Sequence, residues 1–290
     1  MARAARRLAV NTPGELYVED SCIDCDLCRQ LAPSVFARSD RDGQSYVASQ
    51  PHDAATRHRA LMALVTCPTT SIRTADKVDK ADSHAAARAF PEAAGDNIYF
   101  CGYASASSYG AASWLLTRPD GNVLIDSPRA AAPLMDRIAD LGGVRWMFLT
   151  HRDDVADHMR WHERFGCERV IHEADAASVP GCERTFAGEG ELAPDLVMVP
   201  VPGHTRGSAV LIHRERHAFT GDHVWASDAE DGLDAGRGVC WYSWPEQRRS
   251  MERLATHRFV EVIPGHGRRW RATSVDAMQA ELRRLVAAMR

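Results

Sequence analysis

Four cysteines constrain this chain more than any other feature. Cys22, Cys25 and Cys28 form a C-x-x-C-x-x-C run, and Cys67 follows well downstream, immediately before Pro68. Three thiolates spaced in this way can wrap three corners of an iron–sulfur cube, and a distant fourth closes it. Each cysteine needs its own iron, so the intervening loop must curl around the cluster. A structural zinc site is the competing reading, although zinc usually takes its C-x-x-C units in pairs. The third in-phase cysteine and the proline after Cys67 favour the cluster. Cys22, Cys25, Cys28 and Cys67 are therefore expected to hold [4Fe-4S].

Residues 12–75 resemble a single-cluster bacterial ferredoxin. The resemblance implies a small α+β domain and a redox partner for its cluster. At 290 residues the chain has room for one small and one medium domain. Its 45% hydrophobic content is ordinary for a globular protein. No apolar run approaches the roughly 20 residues of a membrane span. The net charge of −4 gives no reason to expect nucleic acid or an anionic membrane surface. The basic start MARAARRLAV lacks the apolar stretch of a secretory signal. Cys101, Cys167, Cys182 and Cys240 are scattered singly among apolar neighbours and read as buried, inert thiols. A reducing, cytoplasmic compartment fits this usage.

The first domain is expected over residues 1–75, with a strand at Leu16–Val18, a helix from Asp53 to Val65 and a closing strand at Ser71–Arg73. Residues 76–96, rich in alanine and charge with no clear apolar face, read as a linker. From Asn97 to the C-terminus short apolar strands interleave with helices. Helices are expected at Pro133–Leu141, around Pro245–His257, and at Ser274–Met289, where Val275, Met278, Leu282, Leu285 and Val286 recur at helical spacing. The order ββα…ββα predicts an α/β domain of two sheets between helices.

Loops in this second domain follow apolar strands and carry histidine with acid or glycine. They are THRDDVADH (His151, Asp153, Asp154, Asp157, His158), PGHTRGS (His204), TGDH (Asp222, His223) and PGHG (His266). Imidazoles and carboxylates at strand ends, in turns eased by glycine, suit an accessible metal site.

The four motifs, in this order, resemble those of the metallo-β-lactamase superfamily, and the resemblance covers nearly all of 97–290. It implies an αββα sandwich with a metal site along one edge. Carried over by position, His151 and His204 would bind one metal. Asp157, His158 and His266 would bind a second, Asp222 would bridge them, and Asp126 would brace the loops. The resemblance further implies a metal-bound hydroxide attacking an ester, thioester or similar carbonyl of a small-molecule substrate, with Asp157 and Asp222 as catalytic groups.

The first loop departs from the family pattern H-x-H-x-D-H. Asp153 stands where the second histidine is usual, and the D-H pair arrives two residues late. A carboxylate at Asp153, or at its neighbour Asp154, makes the site harder and moves its preference from zinc toward iron or manganese. One or two divalent ions are expected. His223, alternating with Asp222 on an extended segment, reads as support rather than ligand. Trp241, Tyr242 and Trp244 either line a substrate pocket or pack beneath a loop, and Tyr109 and Arg129 are weaker pocket candidates. Two functions follow. One is a metallo-hydrolase fused to a ferredoxin domain. The other is a di-iron oxidoreductase fed by the cluster, which would explain the fusion and Asp153 together. Oligomeric state is not legible.

Overall fold

The computed structural model describes residues 6–290, which form two compact units. The first holds the chain up to Asn122 together with Pro128–Gly143, and the second holds Val123–Ser127 with Val144–Arg290. The first unit therefore takes in the stretch expected to be a linker.

In the first unit, β1 (Leu16–Val18) and α1 (Leu27–Leu31) precede the hairpin β2 (Phe36–Arg38) and β3 (Ser45–Val47). Helix α2 (Ala54–Thr66) follows, and β4 (Ile72–Thr74) returns antiparallel to β1. Asp53 starts α2 by accepting a bond from the Thr56 amide, a side-chain cap for one of the orphan donors of a first turn. Cys67 ends it in an extended conformation, as expected of a residue before proline. Leu16, Val18, Leu27, Leu31, Val35, Phe36, Val47, Leu61 and Ile72 are buried between these elements. Asn11 ties the interior together: its Oδ1 accepts from the Val18 and Val47 amides, and its Nδ2 donates to the Leu8 and Val18 carbonyls.

The stretch 76–96 carries regular structure. It holds α3 (Lys80–Arg88), capped by Asp79, and β5 (Glu92–Gly95), which pairs antiparallel with β6 (Ile98–Phe100). β7 (Trp114–Leu116) pairs with β6, and α4 (Ala132–Asp140) completes this unit. Phe90 is fully buried and meets Phe100 and Tyr103 edge to face.

The second unit contains two sheets. In one, β8 (Val123–Ile125), β9 (Trp146–Leu149), β10 (Glu168–His172) and β11 (Arg184–Phe186) run parallel. The residues of β8 and β9 are buried on both faces, which is why VLI and WMFL read as unbroken apolar runs. Helix α5 (His158–Phe165) crosses from β9 to β10; the sequence reading saw only a polar loop there. The other sheet has the order β12 (Gly190–Ala193), β13 (Leu196–Pro200), β14 (Ala209–His213), β15 (His217–Gly221), β18 (Glu261–Pro264), β19 (Trp270–Arg271). Between β15 and β18 lie the short ribbon β16 (Trp225–Ala226) and β17 (Leu233–Asp234) and helix α6 (Trp244–Leu254). Helix α7 (Val275–Ala288) packs with α6 on the second sheet: Met251, Leu254, Met278, Leu282 and Leu285 bury against Val210, Ile212, Ala218 and Val262. Each such side chain contributes about 1.5–3 kcal/mol by leaving water. No helix among the described residues is long and apolar enough to cross a membrane.

Candidate metal centre and iron–sulfur cradle

The loops that carry the candidate ligands leave the C-terminal ends of β8, β9, β15 and β18 and the turn between β13 and β14. Asp126, just past β8, accepts from the Thr150 amide at 2.8 Å, and the Thr150 hydroxyl lies 3.0 Å from both its oxygens. This fixes the start of the loop after β9. The next residue, His151, has Nδ1 3.0 Å from the Thr150 hydroxyl and turns Nε2 the other way.

Six side chains converge. His151 Nε2 lies 3.6 Å from Asp222 Oδ2 and 4.0 Å from both Asp153 Oδ2 and Asp154 Oδ2. His204 Nε2 lies 3.4 Å from Asp153 Oδ2 and 3.7 Å from Asp222 Oδ2. His266 Nδ1 reaches both oxygens of Asp222. Two overlapping triads result, His151–Asp153–His204 and His151–Asp154–Asp222, each with ligand atoms within 4.8 Å of one another. Donors bound at about 2.1 Å to one cation stand roughly 3–4 Å apart, so these spacings suit an ion.

The polar accounting agrees with that fit. His151 Nε2, His204 Nε2 and both Asp154 oxygens are buried without a hydrogen-bond partner. Such groups are costly unless something charged meets them. His204 Nδ1 donates to the Val239 carbonyl at 2.6 Å, which leaves the lone pair on Nε2 facing the centre. Burial and the neighbouring Asp222 push Asp154 well above the usual carboxylate range. Asp153, beside the His204 ring with His151 and Arg152 nearby, is held below it. Burial lowers His151 to about 4, keeping its imidazole neutral as a ligand must be. Asp126, also buried, rises to about 7 despite its Thr150 bonds.

The structure does not bring Asp157 and His158 into this group. Asp157 is part-exposed with Arg160 3.6 Å away, and His158 Nδ1 is 3.0 Å from Arg169, which is itself ion-paired to Glu183. The two extra residues have a local cause. The His158 amide bonds the Val155 carbonyl, so residues 155–158 close the turn that opens α5. The late D-H pair then belongs to the helix start, with His158 against Arg169 of β10, and Asp154 occupies the space beside Asp222. His223 points elsewhere than its neighbour: its ring is buried, with a pKa lowered by burial to about 3, and its carbonyl accepts from Gln247.

Trp241 and Tyr242 are exposed, not packed beneath the loop, and their amides donate to the His204 carbonyl at 3.0 Å. The Trp241 ring is 6.3 Å from that of His204. Trp244 instead begins α6 and packs against its core. Arg129 bonds the Ala104 and Val65 carbonyls, and Tyr109 is exposed in the first unit. Sequence reasoning missed Asp175, which bonds two of the ligand loops; no motif marks it.

In the first unit Cys22, Cys25, Cys28 and Cys67 line one cavity with Val18, Ile23, Leu27 and Pro68. Asp24 and Asp26 take left-handed backbone conformations that curl the loop, and Arg29 bonds both carboxylates at 2.7 and 2.5 Å. The Ser71 amide donates to Cys67 Sγ at 3.3 Å, and Ser45 bonds the Cys28 sulfur. Four thiols around a shared, largely apolar hollow with donors aimed at sulfur suit a cubane cluster. All eight cysteines are free; Cys101 and Cys167 are buried as expected, whereas Cys182 and Cys240 are part-exposed.

Comparison with known proteins agrees with both halves. Residues 18–74 match the 4Fe-4S single cluster domain of ferredoxin I, and residues 97–237 match the metallo-beta-lactamase superfamily. The hydroxyacylglutathione hydrolase of Stenotrophomonas maltophilia is 34% identical over 122 residues, covering 39% of this chain and 46% of that protein. That of Acidiphilium cryptum is 29% identical over 119 residues, covering 39% and 49%. The chain thus spans just under half the length of these curated relatives. Crystal structures of VMB-1 and of the DIM-1 metallo-beta-lactamase exposed to ceftazidime superpose with TM-scores of 0.51 and 0.53. Each is 18% identical; they cover 68% and 69% of this chain and 96% of their own. At that identity they show the fold alone. The chain carries a ferredoxin-type 4Fe-4S domain followed by a metallo-beta-lactamase superfamily domain.

Proposed function

We propose that this chain is a metal-dependent hydrolase of small ester or thioester substrates, built as a ferredoxin-like domain (1–75), a joining segment (76–96) and a hydrolase domain (97–290). The observation that carries it is the convergence of His151, Asp153, Asp154, His204, Asp222 and His266, with two imidazole nitrogens and one carboxylate left unbonded in the interior. His151 is common to the two triads, and Asp222, in the second, also lies 3.7 Å from His204 and bonds His266. Cations held there would polarise a substrate carbonyl and acidify water toward neutral pH. The protein's own part is preorganisation. Asp126 and Thr150 orient His151, Val239 fixes the tautomer of His204, and His266 aligns Asp222. Asp153 and His266, the more open members, mark the side from which a substrate enters.

The hydroxyacylglutathione hydrolases among the relatives favour an acyl thioester as substrate. Exposed Trp241 and Tyr242, hung on the His204 backbone, offer an apolar surface for its acyl or thiol portion. Protein purified without oxygen should contain about four irons in the cluster and additional divalent metal, and should hydrolyse acyl thioesters. Chelation of that metal with the cluster intact should stop turnover; undiminished turnover would sink the proposal.

A second reading rests on the donor set. With Asp153 and Asp154 both at the centre, three carboxylates join three imidazoles, a set that suits iron or manganese better than a histidine-rich one. A di-iron oxidoreductase supplied by the cluster would then show about six irons, little zinc and reductant-dependent chemistry.

A further inference from the structure

We infer that Asp175 is a positioning residue for one metal triad, fixing the gap between the loop that carries His151 and Asp153 and the loop that carries His204. The inference rests on the metal-centre reading above. Asp175 lies in the 3-10 turn Glu173–Ser178 after β10 and is 2% exposed. Its Oδ2 accepts from the Arg152 amide at 3.1 Å and from the Thr205 hydroxyl, and its Oδ1 accepts from the Gly207 amide at 3.1 Å. Arg152 stands between His151 and Asp153, and Thr205 follows His204. One buried carboxylate thus bonds the immediate chain neighbours of all three members of the triad.

The surrounding contacts make this a fitted clamp. Ser208 Oγ accepts from the Thr205 amide at 2.9 Å and lies 2.9 Å from the Thr205 hydroxyl, which holds that hydroxyl toward Asp175. A Cβ at Gly207 would stand 2.6 Å from Asp175 Cγ and 2.9 Å from its amide nitrogen, so the loop approaches as closely as glycine permits. A carboxylate bonding backbone amides is a stronger tether than a neutral acceptor. The loops leave different strands, and ligand geometry tolerates errors of only about 0.5 Å.

The other triad shares only His151 and has separate supports. The Asp154 carbonyl accepts from the Ser127 amide, and Asp222 is held by His266. Loss of Asp175 should therefore act on one ion and spare the other. Partners of metal ligands typically contribute 10–100-fold to affinity.

The test uses the full-length protein with its cluster in place, dialysed against a series of buffered free-zinc concentrations, with bound zinc measured by elemental analysis. Asp175→Asn keeps the shape and removes the charge, Thr205→Val removes one bond, and Leu282→Ala is a core control on α7. The expected result is two zinc ions in the wild type. One of them should bind about 10–100-fold more weakly in Asp175→Asn, and by a smaller factor in Thr205→Val, with both unchanged in Leu282→Ala. Unchanged binding in Asp175→Asn overturns the inference and leaves the metal centre standing. Equal weakening of both ions, matched by the core control, overturns it too, since that is general destabilisation. A wild type that binds no zinc overturns the metal-centre reading and the inference with it.

Discussion

His266 Nδ1 lies 2.8 and 2.9 Å from the two carboxylate oxygens of Asp222. The contact follows from strand pairing: Gly221 and Pro264 are partners in the parallel β15–β18 register, and the Gly265 amide bonds the Gly221 carbonyl. Burial pushes Asp222 toward the neutral form. The charge and bonds of His266, with His151 and His204 nearby, outweigh it and hold the carboxyl below its ordinary range. Asp222 thus stays ionised beside His151 and Asp154, its partners in the second triad. Asp222→Ala should abolish tight metal binding and lower thioester turnover by at least about 100-fold. Retention of wild-type metal content would remove Asp222 from the site.

Asp154 and Asp157 make opposite predictions. If the second triad uses Asp154, then Asp154→Ala loses one metal equivalent, while Asp157→Ala, which loses a contact with Arg160 at a part-exposed position, keeps both. The stability change for Asp157→Ala should stay within about 0.5 kcal/mol. Metal content by elemental analysis decides the matter, and the reverse pattern would restore the family's usual register.

The cluster cradle depends on a residue far from the cysteines in sequence. Gly110 has φ +85°, and a Cβ there would stand 2.6 Å from Cys25 Cβ and 3.1 Å from Cys25 Sγ. Gly110→Ala should destabilise the first unit by about 1–3 kcal/mol through the strained backbone and the overlap. Its cluster absorbance per protein should fall while the metal centre's zinc content does not. Normal cluster content would show that the loop can yield.

Glu261 gives a pH dependence. It is buried and accepts from His217 at 2.8 Å and from Arg269 and Arg271. Burial favours its neutral form, yet the bonds from His217 and Arg271 and the nearby Arg269 prevail and bring its pKa down to about 2. An unfolded chain takes up this proton near pH 4.5, so the stabilisation is complete above that pH and fades as the pH falls toward 2. Its size is about 3 kcal/mol. Glu261→Gln should lower the melting temperature at pH 7, with the gap to wild type narrowing steadily as the pH falls from 4.5 toward 2. A gap independent of pH would show that the bonds survive protonation.

Local signals were legible where chemistry and backbone restrict each other. The Cys22–Cys28 run, Cys67-Pro68, the α7 stripe and the loops of His204, Asp222 and His266 all announced themselves. The first candidate loop is placed differently by the structure than its motif suggests. Its motif ends in Asp157-His158, but two extra residues turn that pair into the start of α5, an effect of helix geometry that no ligand pattern displays. For the same reason the sequence left open whether Asp153 or Asp154 faces the centre. Asp175 was invisible because its partners are backbone amides, which every residue supplies. The segment 76–96 read as a linker because α3 buries only Ala86 of its nine residues, too little to leave a stripe.

Asp222 and His266 are 44 positions apart, yet adjoining strand ends pin them together, and the chain between them leaves and returns at nearly one point. That excursion carries β16, β17, the aromatic pair Trp241–Tyr242 and α6. Much of it can lengthen, shorten or change composition while its anchors stay put. In evolutionary terms, a lineage can revise what such a chain recognises without renegotiating its chemistry. Descendants of this architecture should differ most in the stretch between these two ligands and least at its ends.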